Sequence, residues 1–100
     1  MEKDLEVQPA AHIVAWMAYR RACLDAQAVL NAALETAWQN YDAEIAASKD
    51  TRDSFWAIVH YYKACDIARE AYRIACAIAA NEYAPERIRY EYEMRCRDDI

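Results

Sequence analysis

The chain has 100 residues with 57 % hydrophobic residues, no glycine and a formal net charge of −5. This hydrophobic fraction excludes a disordered chain, and the length suffices for one domain with a modest core. Tight hairpin turns and phosphate-binding loops both rely on glycine for positive φ, so neither a sheet protein nor a phosphate-binding loop is expected. The predicted class is all-α, in a single helical domain spanning residues 1–100.

The charge also limits the kinds of partner. A nucleic-acid binder needs a basic surface to displace counterions, and a pI of about 4.9 argues against one and against an anionic membrane surface. The first residues are too acidic for a signal peptide, and no apolar run is long enough to span a membrane. We therefore expect a cytoplasmic protein with reduced cysteines, and neither nucleic acid nor a membrane as partner.

The first predicted helix covers residues 9–47, because Pro9 suits a first helical turn and no helix breaker follows it before Ala47. Its second half carries an apolar stripe that consists of Leu34, Trp38, Tyr41 and Ile45. Extended backwards, this stripe meets Arg20, Gln27 and Asn31. Unpaired polar groups in a core are costly, so we expect the helix to bend near residues 25–31 or its buried face to drift. A polar layer formed by these three side chains is the alternative. The line onto which the buried face would drift contains Trp16, Tyr19, Cys23 and Leu30.

The clearest turn runs from Ser48 to Ser54, where Asp50 or Thr51 can cap the next helix. That second helix is predicted to cover residues 52–80 and to end at Asn81. Pro85 then opens a short third helix over residues 85–98. No internal repeat is expected.

The second helix carries two apolar ladders at helical spacing. The first ladder contains Ile58, Tyr62, Cys65, Arg69, Tyr72, Cys76, Ala79 and Tyr83. The second ladder contains Ala57, His60, Ala64, Ile67, Ala71, Ile74 and Ile78. At about 100° per residue the two ladders lie roughly 150° apart, so a neighbour is expected on each side. The predicted architecture is a three-helix bundle with the second helix at its centre.

Residues that could support chemistry are few. If the third helix folds back near residues 83–84, three thiols share one layer: Cys23, Cys76 and Cys96. Closely spaced cysteine pairs are missing, however, and cysteine often serves as a small buried hydrophobic residue, so we expect neither a metal nor a cofactor. His60 is expected to be a hydrogen-bonded packing residue. Without a nucleophile–base pair or facing carboxylates, no enzyme is expected.

Aromatic residues are unusually frequent, with three Trp, eight Tyr and one Phe. Tyr and Trp dominate binding hot spots because they bury a large area with few rotatable bonds. We therefore predict that a protein partner binds at the start of the second helix or along the third. The candidate partner-binding residues are Phe55, Trp56, Tyr61, Arg87, Tyr90, Glu91 and Arg95.

The stretch from Ala71 to Ile100, AYRIACAIAANEYAPERIRYEYEMRCRDDI, resembles the tail of Ala- and aromatic-rich immunity proteins of bacteria and phages. Those proteins alternate Ala runs with Tyr or Trp and close with an aromatic–Gln and Arg–Leu helix. Tyr90-Glu91 and Arg97 to Ile100 stand here at similar spacing, but the longer Ala–Tyr repeats are missing. The chain also resembles small phage-encoded helical inhibitors. The resemblance covers less than a third of the chain and implies that a target is neutralised by binding alone.

The predicted function is therefore that of a non-enzymatic protein-binding module of the inhibitor or immunity type. Two alternatives stay open. A long first helix that shorter helices cannot cover could pair with a second copy, which would make the chain a homo-oligomeric structural protein. The shared thiol layer would instead make it a metal-binding protein.

Overall fold

A computed structural model describes residues 10–98 and shows two α-helices joined by a tight turn. Helix α1 spans Ala11–Ala47 and helix α2 spans Thr51–Asp98. They run antiparallel and form a rod with extents of 74, 29 and 15 Å. The all-α class is confirmed, but the described residues form two helices rather than three. Pro9, the predicted helix start, lies outside the described residues.

The turn between the helices lies where the sequence predicts it. The backbone N–H of Asp53 donates to Asp50 Oδ1 at 2.9 Å, and the N–H of Lys49 donates to Asp53 Oδ2 at 3.2 Å. Each carboxylate accepts a hydrogen bond from a backbone amide near the start of α2, and its negative charge is stabilised by the positive end of the helix dipole. The hydroxyl oxygens of Ser48 and Ser54, 2.7 Å apart, close the hairpin. The cap predicted at Asp50 is confirmed.

Contacts between the helices keep a single register along the whole hairpin. The pairs that define it are Ser48–Ser54 at the turn and three ring pairs with centroid separations of 5.3, 5.2 and 3.8 Å, namely Tyr41–Tyr61, Tyr19–Tyr83 and His12–Tyr90. Each step outward along α1 is matched by an equal step along α2. The hairpin is therefore held at its turn, at its middle and at its open end.

An 11-residue repeat produces this constant register, so the expectation of no internal repeat is wrong. In α2 the repeated triads are Ser54–Ala57–Tyr61, Cys65–Ala68–Tyr72 and Cys76–Ala79–Tyr83. In α1 the corresponding triads are His12–Ala15–Tyr19, Cys23–Ala26–Leu30 and Leu34–Ala37–Tyr41. Eleven residues in three turns give about 3.67 residues per turn, close to the unstrained helix, so the helices stay in contact without marked supercoiling.

The middle position of every triad is alanine, and these alanines line the contact between the helices. In the part of the chain that the structure describes, the buried residues are Ala37, Ala57, Cys65, Ala68 and Ala79, each at most 8 % exposed. The register places Ala37 opposite Cys65 and Ala68 opposite Leu34. Larger side chains of one helix thus meet small ones of the other, which lets the helices approach closely.

The predicted break between residues 81 and 85 is wrong, because α2 stays helical through Pro85. A proline inside a helix loses one backbone hydrogen bond and costs about 3 kcal/mol. Contacts with α1 on both sides of Pro85 offset this cost, since Tyr83 stacks on Tyr19 and Tyr90 stacks on His12. Because α1 begins at Ala11, α2 must extend past Tyr90 to cover it.

Helix α1 is unbroken through residues 25–31, and the polar side chains on its predicted stripe are exposed. Gln27 Nε2 donates to Asn31 Oδ1 at 3.0 Å, and the Arg20 guanidinium lies 5.5 Å from the Trp16 ring centre. A buried polar layer is therefore wrong. The buried face instead drifts as the sequence suggests, through Tyr19, Cys23 and Leu30 to Leu34, Tyr41 and Ile45.

Enlarging an alanine in the helix contact is expected to destabilise the hairpin. Ala57 is fully buried, so Ala57→Leu should lower the free energy of unfolding by about 1–3 kcal/mol through overpacking. Urea denaturation followed by circular dichroism, at one fixed protein concentration, measures the change. The matched control is Ala77→Leu on the exposed side of α2. Equal stability of the two variants would contradict an alanine contact.

Replacing Pro85 should stabilise the protein. Pro85→Ala restores a backbone donor and is expected to raise the free energy of unfolding by up to about 3 kcal/mol. The exposed control Glu82→Ala, three residues earlier, should change the urea midpoint little. A lower midpoint for Pro85→Ala would mean that α2 is not continuous at this point.

Candidate functional site

The second ladder of α2 is largely exposed, so the prediction of a central helix covered on both sides is wrong. Ile67 is 62 % exposed and Ile78 is 54 % exposed, whereas Cys65 and Ala68 on the other side are buried against α1. A single neighbouring helix covers only one arc of α2. The apolar residues outside that arc remain on the surface of this two-helix layer.

These exposed residues border an apolar groove that runs between the helices. The groove is open to solvent and has a volume of about 640 Å³. Its lining includes Val29, Ala32, Ala33 and Thr36 from α1 and Ala64, Ile67, Ala71 and Ala75 from α2, and it contains no charged side chain. Ile74 and Ile78 follow Ala71 at helical spacing and extend the same side of α2. We call this surface, with Val29, Ile67, Ile74, Ile78 and the alanines between them, the alanine–isoleucine face.

A cluster of four aromatic rings lies near the turn. Tyr61 contacts Tyr41, Trp38 and Tyr62, with ring centroids 5.3, 5.9 and 5.8 Å away. Tyr41 and Tyr61 are half-buried, while Trp38 is exposed and Tyr62 is 61 % exposed. The half-buried rings of Tyr41 and Tyr61 therefore pack against the exposed rings of Trp38 and Tyr62 and hold them in place.

Two further apolar side chains extend this cluster along α2. Phe55 and Ile58 precede Tyr62 at helical spacing, so the three lie on one side of the helix, and all are exposed. We call Trp38, Phe55, Ile58 and Tyr62 the aromatic face. Tyr62 and Ile67 are separated by about 140° around the helix, so the aromatic face and the alanine–isoleucine face lie on different sides of the hairpin.

The predicted partner-binding residues fall into two groups about 50 Å apart along α2. Phe55 and Trp56 are exposed and in mutual contact near the turn, with ring centroids 5.7 Å apart. Tyr61 lies beside them but beneath Trp38 and Tyr62. These three predicted residues belong to one neighbourhood, and only the first two present their rings to solvent.

The other predicted residues lie at the open end of the hairpin. Tyr90 stacks on His12 and so holds the start of α1. Arg87 pairs with Glu91 at 3.6 Å in an exposed contact, and Arg95 is exposed one turn further on. Exposed pairs of this kind contribute little energy. This end forms a charged helix surface, and the structure does not join it to the aromatic residues near the turn.

The predicted layer of three thiols does not form. Because α2 does not turn back near residues 83–84, Cys96 lies about 30 Å along the helix from Cys76. Cys23 and Cys76 remain on facing stretches of the two helices, as expected for a hairpin. Among residues 10–98, no group of three His, Cys, Asp or Glu side chains is arranged to hold a metal ion.

Three tyrosines lie one helical turn before a cysteine, in the pairs Tyr19–Cys23, Tyr61–Cys65 and Tyr72–Cys76. In each pair, side-chain hydrogen bonding with the thiol, then its electrostatic effect and burial, raises the pKa of the tyrosine above its ordinary value. These phenols therefore stay neutral at physiological pH and add no charge to the helix contact.

His60 makes the hydrogen bond that the sequence predicts, although its side chain is exposed. Its Nδ1 lies 3.0 Å from Glu44 Oε2 on the opposite helix, and its ring stacks on Trp56 with centroids 6.2 Å apart. This contact ties the two helices together near the turn.

Comparison with protein-family models, with curated proteins and with solved structures gives no match. In the described part of the chain, neither helix has a stretch that is apolar and long enough to cross a membrane.

The sequence analysis predicted that another helix of the same chain covers the alanine–isoleucine face, and this prediction is wrong. The sequence does contain a pattern that marks this face, because Ile67 and Ile78 recur eleven residues apart beside the repeated alanines. Periodicity showed that this side of α2 is apolar. It could not show whether a third helix of the same chain covers it.

The cysteines should differ sharply in reactivity. Cys65 is 2 % exposed and Cys96 is exposed, so iodoacetamide should modify Cys96 in the native protein and Cys65 only after unfolding. Mass spectrometry of digested protein after timed labelling measures both rates. Cys96→Ser serves as the control, and similar labelling rates at both positions would contradict the burial of Cys65.

Proposed function

We propose that this protein is a non-enzymatic protein-binding module of the inhibitor or immunity type, and that it binds its partner through the aromatic face. The observation that carries the proposal is the exposure of Trp38 and Tyr62 above the half-buried rings of Tyr41 and Tyr61. Large aromatic side chains supply most of the energy at hot spots of protein interfaces.

The support beneath these rings favours tight binding. Trp38 contacts both Tyr41 and Tyr61, and Tyr61 also contacts Tyr62. The outer rings therefore lose little side-chain freedom when a partner covers them, and the helices that carry them need no rearrangement. Pre-organisation of this kind lowers the entropic cost of association.

The chemistry of the surface indicates the kind of partner. Flat aromatic rings fit an apolar depression on another protein, and a net charge of −5 favours encounter with a basic surface. The groove between the helices is lined mainly by alanine and aliphatic side chains and holds no charged group. That lining suits binding better than a reaction.

The alternatives are affected differently by the structure. A metal-binding role loses its basis because Cys96 lies far from Cys23 and Cys76. Self-association gains support from the exposed alanine–isoleucine face, which lies apart from the aromatic face.

Removing the exposed aromatic side chains should abolish partner binding without unfolding the hairpin. The variant is Phe55→Ser with Tyr62→Ser, and its control is Ile88→Ser with Tyr92→Ser, two exposed positions at the open end. Immobilised wild type and control should capture the same protein from a bacterial lysate, and the aromatic variant should not. Calorimetry with the purified partner then measures each affinity.

A protein captured equally by both variants would contradict the aromatic face as the binding site. Failure of the wild type to capture any protein that binds again after purification would contradict the proposed function. Circular dichroism of each variant checks that the helices are retained.

A further inference from the structure

We propose that the alanine–isoleucine face is an interface between two copies of this chain, which associate into a four-helix bundle. This inference concerns a different surface from the aromatic face and does not depend on its role. Three observations support a second copy as the occupant: the exposed area, the charge distribution and the arrangement of large and small side chains.

The exposed area is far larger than a protein of this mass normally shows. A compact monomer of 11.6 kDa exposes about 5,800 Å². This chain exposes 8386 Å². The difference between these two exposed areas is well above the roughly 800 Å² that each partner contributes to a stable interface. The hairpin can therefore bury an interface of ordinary size and still expose as much surface as a compact protein.

The dimensions of the hairpin favour the same assembly. It contains only two helices, which form a single layer, and its two shorter extents are 29 and 15 Å. Two such layers stacked face to face make a bundle about as thick as it is wide. Each helix would then have neighbours on two sides, which is the environment that the two ladders of α2 require.

Charge is distributed unequally around the hairpin, because the groove has none, whereas Lys63 and Glu70 flank the isoleucines on the outer part of α2. None of the side chains that line the groove is charged. On the side of α2 that carries Tyr62, by contrast, Arg69 and Arg73 follow at helical spacing and are exposed. Interface cores are depleted of charge, whereas their rims are polar. The exposed ion pair Arg21–Asp25, 3.4 Å apart, lies on α1 beyond the groove lining, toward the open end, and suits the end of such a rim.

The alanine–isoleucine face is complementary in shape to a second copy of itself, because one helix presents larger side chains and the other presents smaller ones. Its α2 side presents Ile67 and Ile74, whereas its α1 side presents smaller side chains, Ala32, Ala33 and Val29, at the same height of the hairpin. If α2 of each copy lies on α1 of the other, the isoleucines meet these smaller side chains and the backbones can approach. If α2 lay on α2, the isoleucines would hold the two α1 helices apart and leave their alanines uncovered.

This arrangement has a two-fold axis parallel to the helices, so both turns lie at the same end of the bundle. Each copy contributes the same surface, and no unpaired alanine–isoleucine face remains to extend the assembly. The two aromatic faces lie on the outside of the bundle. A dimer built in this way presents two partner-binding surfaces at once.

Sedimentation equilibrium of the full chain tests the interface. The wild type should sediment at twice 11.6 kDa, and Ile67→Lys with Ile74→Lys should sediment as the 11.6 kDa monomer. The matched control, Phe55→Lys with Tyr62→Lys, places the same charge on the aromatic face and should remain dimeric. A monomeric wild type, a larger oligomer, or loss of the dimer in the control would overturn the proposal.

A second measurement uses the natural sequence and does not depend on how the variants fold. A spin label attached to Cys96, the exposed cysteine near the open end, reports the distance between the two copies. Turns at the same end predict a label separation below about 30 Å, whereas inverted hairpins would separate the labels by more than about 60 Å. The longer distance would overturn the proposed arrangement even if the protein is a dimer.

Discussion

The close contact of two helices along a line of alanines is the interaction on which the rest of this structure depends. Ala37, Ala57, Ala68 and Ala79 are small enough for the helices to touch along the hairpin. Because the contact alanines of each helix recur every eleven residues, the contact line stays nearly straight. Stacked rings, Tyr41 on Tyr61 and Tyr19 on Tyr83, fix the register between the alanines. The same contact keeps α2 helical across Pro85.

A contact built from small side chains buries little apolar area, and this explains the surface of the protein. Most of its large apolar side chains, among them Val29, Ile67 and Trp38, remain exposed. Two helices cannot enclose them, because each covers only one arc of the other. The exposed side chains collect on two sides of the hairpin with different chemistry. One side has an uncharged, aliphatic groove, and the other is aromatic with arginine residues nearby.

This division gives a physical basis for assigning two separate roles to one short chain. An uncharged groove beside a row of isoleucines suits a permanent interface, because nothing in its lining must be desolvated at high cost. Aromatic rings among charged residues suit a partner that binds and leaves, since such a surface stays hydrated when it is free. The acidic net charge favours encounter with basic proteins at the second surface.

The sequence by itself determined the all-α class, the turn with its Asp50 cap, the drift of the buried face through Tyr19, Cys23 and Leu30, and the two apolar ladders of α2. These follow from local signals, namely helix propensity, capping chemistry and spacing. Only the tertiary structure decided that α2 passes through Pro85, that Cys96 lies far from Cys76, and that Ile67 and Ile78 face solvent. Those outcomes depend on how far α1 extends beside α2, because a neighbouring helix can offset the cost of a proline. Periodicity records that a helix side is apolar but not which chain covers it.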